Sequence, residues 1–94
     1  MKKLIIKRKP SIRYIFRVPF KIYVDGNEIG SIYPSEEVNC DLKEGKHTII
    51  ISSNDKTIEQ GIIIEKETNC VEIVVGSIRI FTIYIPQIRD IIFK

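Results

Sequence analysis

The sequence predicts an all-β fold: a single antiparallel β-sandwich of about seven to nine short strands spanning residues 1–94, immunoglobulin-like or prealbumin-like in arrangement. Three observations predict it. The apolar residues are overwhelmingly β-branched, with 22 Ile and 6 Val against 2 Leu and no Ala, and such side chains suit a pleated sheet better than a helix. They recur with period two, so alternate residues face a common side. Turn signals fall roughly every eight to twelve residues with no helical segment between them, a spacing that belongs to sandwiches and barrels.

The elements follow in order. Ile12, Tyr14, Phe16 and Val18 alternate with Ser11, Arg13, Ile15 and Arg17. This predicts a strand that Pro19 breaks or bends, because proline has no N–H to give to a ladder. Phe20, Ile22 and Val24 resume the alternation against Lys21 and Tyr23. Asp25-Gly26-Asn27 then predicts a tight hairpin turn, since Gly and Asn tolerate a positive φ. The return strand runs from Glu28 to Tyr33 and stops at Pro34.

Val38, Cys40 and Leu42 alternate with Glu37, Asn39 and Asp41, again as a strand. A short helix capped by Ser35 is the rival reading; Asn39, Cys40 and Asp41 are poor residues for it. Lys43-Glu44-Gly45 is a turn, His47–Ser53 a strand, Asn54-Asp55 a turn, Thr57–Glu65 a strand, and Glu67-Thr68-Asn69 a turn. Val71, Ile73 and Val75 form the next inward row, which Gly76-Ser77 interrupts. Ile78–Ile85 is the last long strand, ended by Pro86. In residues 87–94, Ile88, Ile91 and Ile92 fit one helical turn or an edge strand.

Residues 1–10 receive no strand. Leu4-Ile5-Ile6, between Met1-Lys2-Lys3 and Lys7-Arg8-Lys9, is too short an apolar stretch for a secretory signal. The region from Ile73 to Phe93 is interrupted by Arg79, Pro86, Arg89 and Asp90, so it is no membrane-spanning helix. A cytoplasmic protein with Cys40 and Cys70 reduced is expected. Charge is uneven: residues 1–24 hold eight Lys or Arg and no acid, whereas the whole chain carries +3.

No catalytic, cofactor or metal constellation emerges. His47 is the only histidine; with no orienting carboxylate or further ligands indicated, it reads as a structural residue at a strand start. Two cysteines thirty residues apart lack zinc-site spacing, and Cys40 reads as a small buried hydrophobe beside Val38 and Leu42. Glu36 and Glu37 are adjacent, so on a strand they point to opposite faces and make no carboxylate dyad. The glycines are isolated and form no phosphate loop.

Two surfaces remain as candidates. Lys7, Arg8, Lys9, Arg13, Arg17 and Lys21 form a candidate anion-binding set for nucleic acid or an acidic membrane, with Tyr14, Phe16 and Tyr23 available for stacking. The competing reading pairs these cations with acids elsewhere in the domain or uses them to guard an edge. Ile50, Ile63 and Ile83 fall on the outward phase of apolar runs, so they form a candidate apolar contact face.

Two segments resemble a known family. Ile22-Tyr23-Val24-Asp25-Gly26-Asn27-Glu28-Ile29-Gly30 resembles the hairpin of PEGA-like domains, and Leu42-Lys43-Glu44-Gly45-Lys46-His47-Thr48-Ile49 resembles their later Gly-turn strand. The resemblance covers about a third of the chain. Glu44 replaces the family's proline, and no Pro-Glu-Gly-Ala block occurs. It implies a small prealbumin-like or carboxypeptidase-regulatory-like sandwich, an accessory module of bacterial envelope and signalling proteins, without catalytic residues. From the strand pattern, the missing catalytic groups and the spare apolar faces, the expected function is a non-enzymatic interaction module that binds a protein partner or itself, needs no cofactor, and acts on no small-molecule substrate. The alternative is the anion binder.

Overall fold

The period-two pattern becomes eight strands: β1 (Lys2–Arg8), β2 (Phe20–Val24), β3 (Asn27–Ile32), β4 (Glu37–Leu42), β5 (Gly45–Ser53), β6 (Lys56–Ile64), β7 (Cys70–Ile80) and β8 (Ile83–Phe93). The structure is a computed structural model that describes residues 1–10, 18–53, 56–80 and 83–94, with the backbone alone at residues 79, 80, 83 and 84. Among the described residues there is no helix. The strand predicted over residues 11–18 lies almost wholly outside that range.

The strands form two four-stranded sheets. Sheet A has the order β4-β1-β7-β8 and sheet B the order β3-β2-β5-β6. An immunoglobulin constant-type sandwich would instead put its first, second, fifth and fourth strands in one sheet. The strand order is therefore not that of an immunoglobulin constant-type sandwich. One pairing departs from the antiparallel expectation: β1 lies parallel to β7, with Leu4 beside Val71 and Ile6 beside Ile73.

Both inner faces are apolar. Leu4, Ile6, Val71 and Ile73 of sheet A face Phe20, Ile22, Ile49, Ile51 and Ile64 of sheet B, all essentially inaccessible to water. Each such side chain contributes about 1.5–3 kcal/mol on burial. The Asp25-Gly26 turn is as predicted. Val24 pairs with Asn27, and Asp25 (φ 50°) and Gly26 (φ 84°) are both left-handed. That is the signature of a two-residue type I′ loop, whose twist matches the strands it joins.

Other expectations are corrected. Residues 2–8, left unassigned, are a central strand: Leu4 and Ile6 point inward while Lys3, Ile5 and Lys7 point outward. The outward Ile5 hides this alternation among lysines. The rival helix at Ser35 does not form. Ser35 has φ 71°, outside the extended conformation an N-cap adopts, and its N–H donates to the Arg8 carbonyl at 3.1 Å.

Gly76-Ser77 does not interrupt β7, and Pro86 does not end a strand. Ser77 pairs with Pro86 inside a continuous β7–β8 ladder that extends from Val71–Phe93 to Ile80–Ile83. The run read as one strand over Ile78–Ile85 is thus the two arms of a hairpin. Pro86 is tolerated because β8 is an edge strand, where alternate N–H groups have no neighbour to serve. Residues 87–93 take the edge-strand alternative rather than the helical turn.

Candidate functional site

His47 opens the inward row of β5, opposite Ile62. Its Nδ1 donates to Asp25 Oδ2 at 2.6 Å, and its Nε2 donates to the Lys43 carbonyl at 2.7 Å. Asp25 also accepts from the Thr48 N–H through Oδ1 at 2.9 Å. Only the imidazolium form carries both N–H groups that these two acceptors require. Burial pushes the His47 pKa down, but the hydrogen bonds to Asp25 and Lys43 and the Asp25 charge outweigh it, and the net shift is upward. Asp25 is held below the ordinary carboxylate value by its bond to His47, then by Thr48. With both nitrogens engaged, His47 clamps the β2–β3 turn to the turn before β5. Sequence indicated no orienting carboxylate for His47; the structure supplies one in Asp25.

Cys40 and Cys70 both flank β1. Cys40 pairs with Leu4 on one side and Cys70 with Lys3 on the other. Two strand spacings put their Cα atoms roughly 10 Å apart, beyond disulfide reach of about 7 Å. Cys40 packs against the core, whereas Cys70 shares the outer face with Lys3 and Glu72. Burial, then the charges of Asp41 and Asp25, raises the Cys40 pKa. The expected result is two free thiols, with no mass change on reduction, and slower alkylation at Cys40 than at Cys70. A non-reduced mass lower by two hydrogens would contradict this placement. Among the described residues no group of three His, Cys, Asp or Glu is placed to hold a metal, and there is no helix long and apolar enough to cross a membrane.

The predicted anion-binding set is dispersed. Lys7 lies on the outer face of sheet A, 3.3 Å from Glu72, which Lys94 also reaches at 3.0 Å. These two lysines, Lys94 first, lower the Glu72 pKa. Register puts Lys3 opposite Asp41 and Lys7 opposite Glu37, so the β1 lysines sit within a lattice of acids. Arg8 is only 3% exposed and belongs to the interior. Lys9 is exposed just past β1. Lys21 is exposed on the outer face of sheet B, between Ser31 and Ser52. Arg13 and Arg17 lie outside the described residues.

The predicted apolar face is likewise divided. Ile63 is 56% exposed. Ile50 is half-buried, between Tyr23 and Glu59 in the sheet B register. The side chain of Ile83 is not described. Around these residues the outer face of sheet B is largely polar, with Lys21, Ser52, Thr57 and Lys46.

Ile63 has different apolar neighbours. It lines an open groove of about 580 Å³ at the corner where β6 and β8 approach, together with Ile62, Ile91 and Phe93. Phe93 is 50% exposed. Both strands are sheet edges. Sequence reasoning missed Ile91 and Phe93 because it left residues 87–94 undecided; assigning them as an edge strand would have found them. No family model matches the chain, and no curated protein or solved structure was found to be similar to it.

Proposed function

We propose that this protein is a non-enzymatic interaction module that docks through the β6–β8 corner, and that the occupant is a second copy of the chain. One observation carries the proposal: two neighbouring edge strands end side by side with Ile63 and Phe93 exposed over a groove whose apolar side is rimmed by Lys46, His47, Thr48 and Gln60. Natural edges are blunted by charge, proline or bulges. The β4 edge is protected by Glu37, Asn39 and Asp41, all exposed. β8 has Pro86, Arg89 and Asp90 along its length, but its last residues, Ile91-Ile92-Phe93, carry no such guard. At the facing end of β6, Ile63 is exposed while Ile62 and Ile64 turn into the core. An antiparallel edge is self-complementary about a two-fold axis, which makes a second copy the simplest partner.

A relation to PEGA-like accessory domains belongs to the same reading, supported by the Asp25-Gly26 hairpin and the Gly45 strand start. So does a cytoplasmic setting, supported by two unbridged cysteines. The rival reading, an extended basic surface for nucleic acid or membrane, has less support, because Lys7 and Lys21 lie on the outer faces of different sheets and Arg8 belongs to the interior.

Sedimentation or light scattering from about 10 µM to about 1 mM tests the proposal. A reversible dimer is expected, and Ile63→Lys and Phe93→Lys should each weaken it by about tenfold or more. A strictly monomeric protein at about 1 mM overturns it.

A further inference from the structure

A second concavity lies at the end of sheet A where β1 terminates. It has a volume of about 190 Å³ and is lined by Arg8, Lys9, Pro10, Gly76, Ser77 and Arg89. Among the described residues three cationic ones line it and no carboxylate does.

The backbone is arranged to bring Arg89 there. Val74 pairs with Asp90 and Val75 with Ile88, so Arg89 is the extra residue of a β-bulge. A bulge re-aims the side chain it carries. Arg89 crosses β7 at Gly76: a Cβ on that glycine would lie 2.5 Å from Nε and 3.0 Å from Cγ of Arg89. Glycine is what allows the approach. Arg89 Nη2 also contacts the Ser77 carbonyl at 3.4 Å. The Lys9 backbone is anchored beside β7 by its N–H, which donates to the Val75 carbonyl at 2.8 Å. Arg8 forms the buried wall, its guanidinium oriented by the carbonyls of Val18 and Ile32 and by the Phe20 ring, 3.6 Å away.

Lys9 and Arg89, two exposed cations on one small cavity, raise its potential, and an anion relieves their repulsion. Guanidinium groups present paired N–H donors to tetrahedral oxyanions, and a lysine adds a compact charge. We propose that this pocket binds a phosphate-type oxyanion, either free phosphate or the terminal group of a phosphate monoester, with Arg89 and Lys9 as the ligating side chains. The enclosure suits one such group. A nucleic-acid strand would need a continuous basic track with aromatic stacking platforms, and no aromatic residue lines the pocket among those described.

The test is calorimetric titration and thermal shift of the whole chain with inorganic phosphate and with glycerol phosphate, against chloride at matched ionic strength. Saturable binding of at least one phosphate compound is expected. Arg89→Gln and Lys9→Gln should each weaken it by about tenfold, and Gly76→Ala should act in the same direction by displacing Arg89. Tighter glycerol phosphate assigns the site to an esterified phosphate; equal or tighter inorganic phosphate assigns it to the free ion. Both residues are exposed, so the variants should match the parent's melting temperature in chloride. If Arg89→Gln does not, Lys9→Gln decides. No saturable effect beyond that of chloride up to about 10 mM, or undiminished affinity in the deciding variant, overturns the proposal.

Discussion

Replacing Arg8 by Ala should destabilise the protein by about 3 kcal/mol, which for a domain this size lowers the melting temperature by about 15 °C. Arg8 is 3% exposed, and its guanidinium holds two carbonyls, those of Val18 and Ile32. Ile32 ends β3, and Val18 precedes β2. The side chain therefore ties the last inward position of β1 in sheet A to the open end of the β2–β3 hairpin in sheet B. Truncation removes the donor to a buried carbonyl, uncovers one face of Phe20 and leaves a void.

Two further variants separate these effects. Arg8→Met keeps most of the volume and loses the donors, so it should recover about 1 kcal/mol relative to alanine. Arg8→Lys keeps the charge but cannot span two acceptors with a planar fork or stack on Phe20, so it should remain well below the parent. Urea denaturation measures all three. An Arg8→Ala variant within about 0.5 kcal/mol of the parent would show that the contact is dispensable.

Arg8 also marks where the sequence was hard to read. In linear order it belongs to Lys7-Arg8-Lys9, a run that suggests solvent. Three dimensions separate those neighbours: Lys7 points outward to Glu72, Arg8 inward to Phe20, and Lys9 leaves the strand. Alternation had the information, since Leu4, Ile6 and Arg8 share one phase. Arginine is ordinarily exposed, however, which masks that phase. The Phe20–Ile32 hairpin was legible for the opposite reason. Its turn requires two positive φ angles, and Asp25-Gly26 announces them locally.

The β7–β8 hairpin was less legible. Its ladder runs through Gly76 and Pro86, two residues that normally punctuate strands, while the inward apolar row of Val71, Ile73 and Val75 gives way to Ser77. Gly76 makes room for Arg89, and Pro86 sits in an edge strand. The candidate sites suffered most, because both depend on which strands become edges and where a bulge falls. Ile63 was visible as a surplus apolar residue. Its association with Ile91 and Phe93, and that of Arg89 with Lys9, arises from tertiary contact between segments distant in sequence, which no local period encodes.

The His47–Asp25 clamp gives stability a defined pH dependence. The folded-state pKa of His47 is raised above its ordinary 6.5. Its contribution is therefore complete below about pH 6.5 and disappears as pH rises through the higher folded value. Asp25 is lowered from 3.8, so its contribution is present above about pH 4 and disappears as pH falls through the lower folded value. The clamp is strongest between those limits. Above them the neutral imidazole has one N–H for two acceptors, and either Asp25 or the Lys43 carbonyl faces a lone pair.

His47→Gln removes the titrating group. The stability difference between parent and variant should be larger at pH 5.5 than at pH 9 by about 1 kcal/mol, or about 5 °C in melting temperature. The magnitude is kept modest because the Asp25 side chain is 43% exposed and the pair is partly screened. Asp25→Ala should cost more, about 2 kcal/mol at pH 5.5. It strips the Thr48 N–H of its acceptor and places alanine at φ 50°, a conformation aspartate tolerates better. Urea titrations of the three proteins at both pH values provide the measurement. A parent-minus-His47→Gln difference that is flat, or larger at pH 9, would mean that the imidazolium does not hold the two turns together.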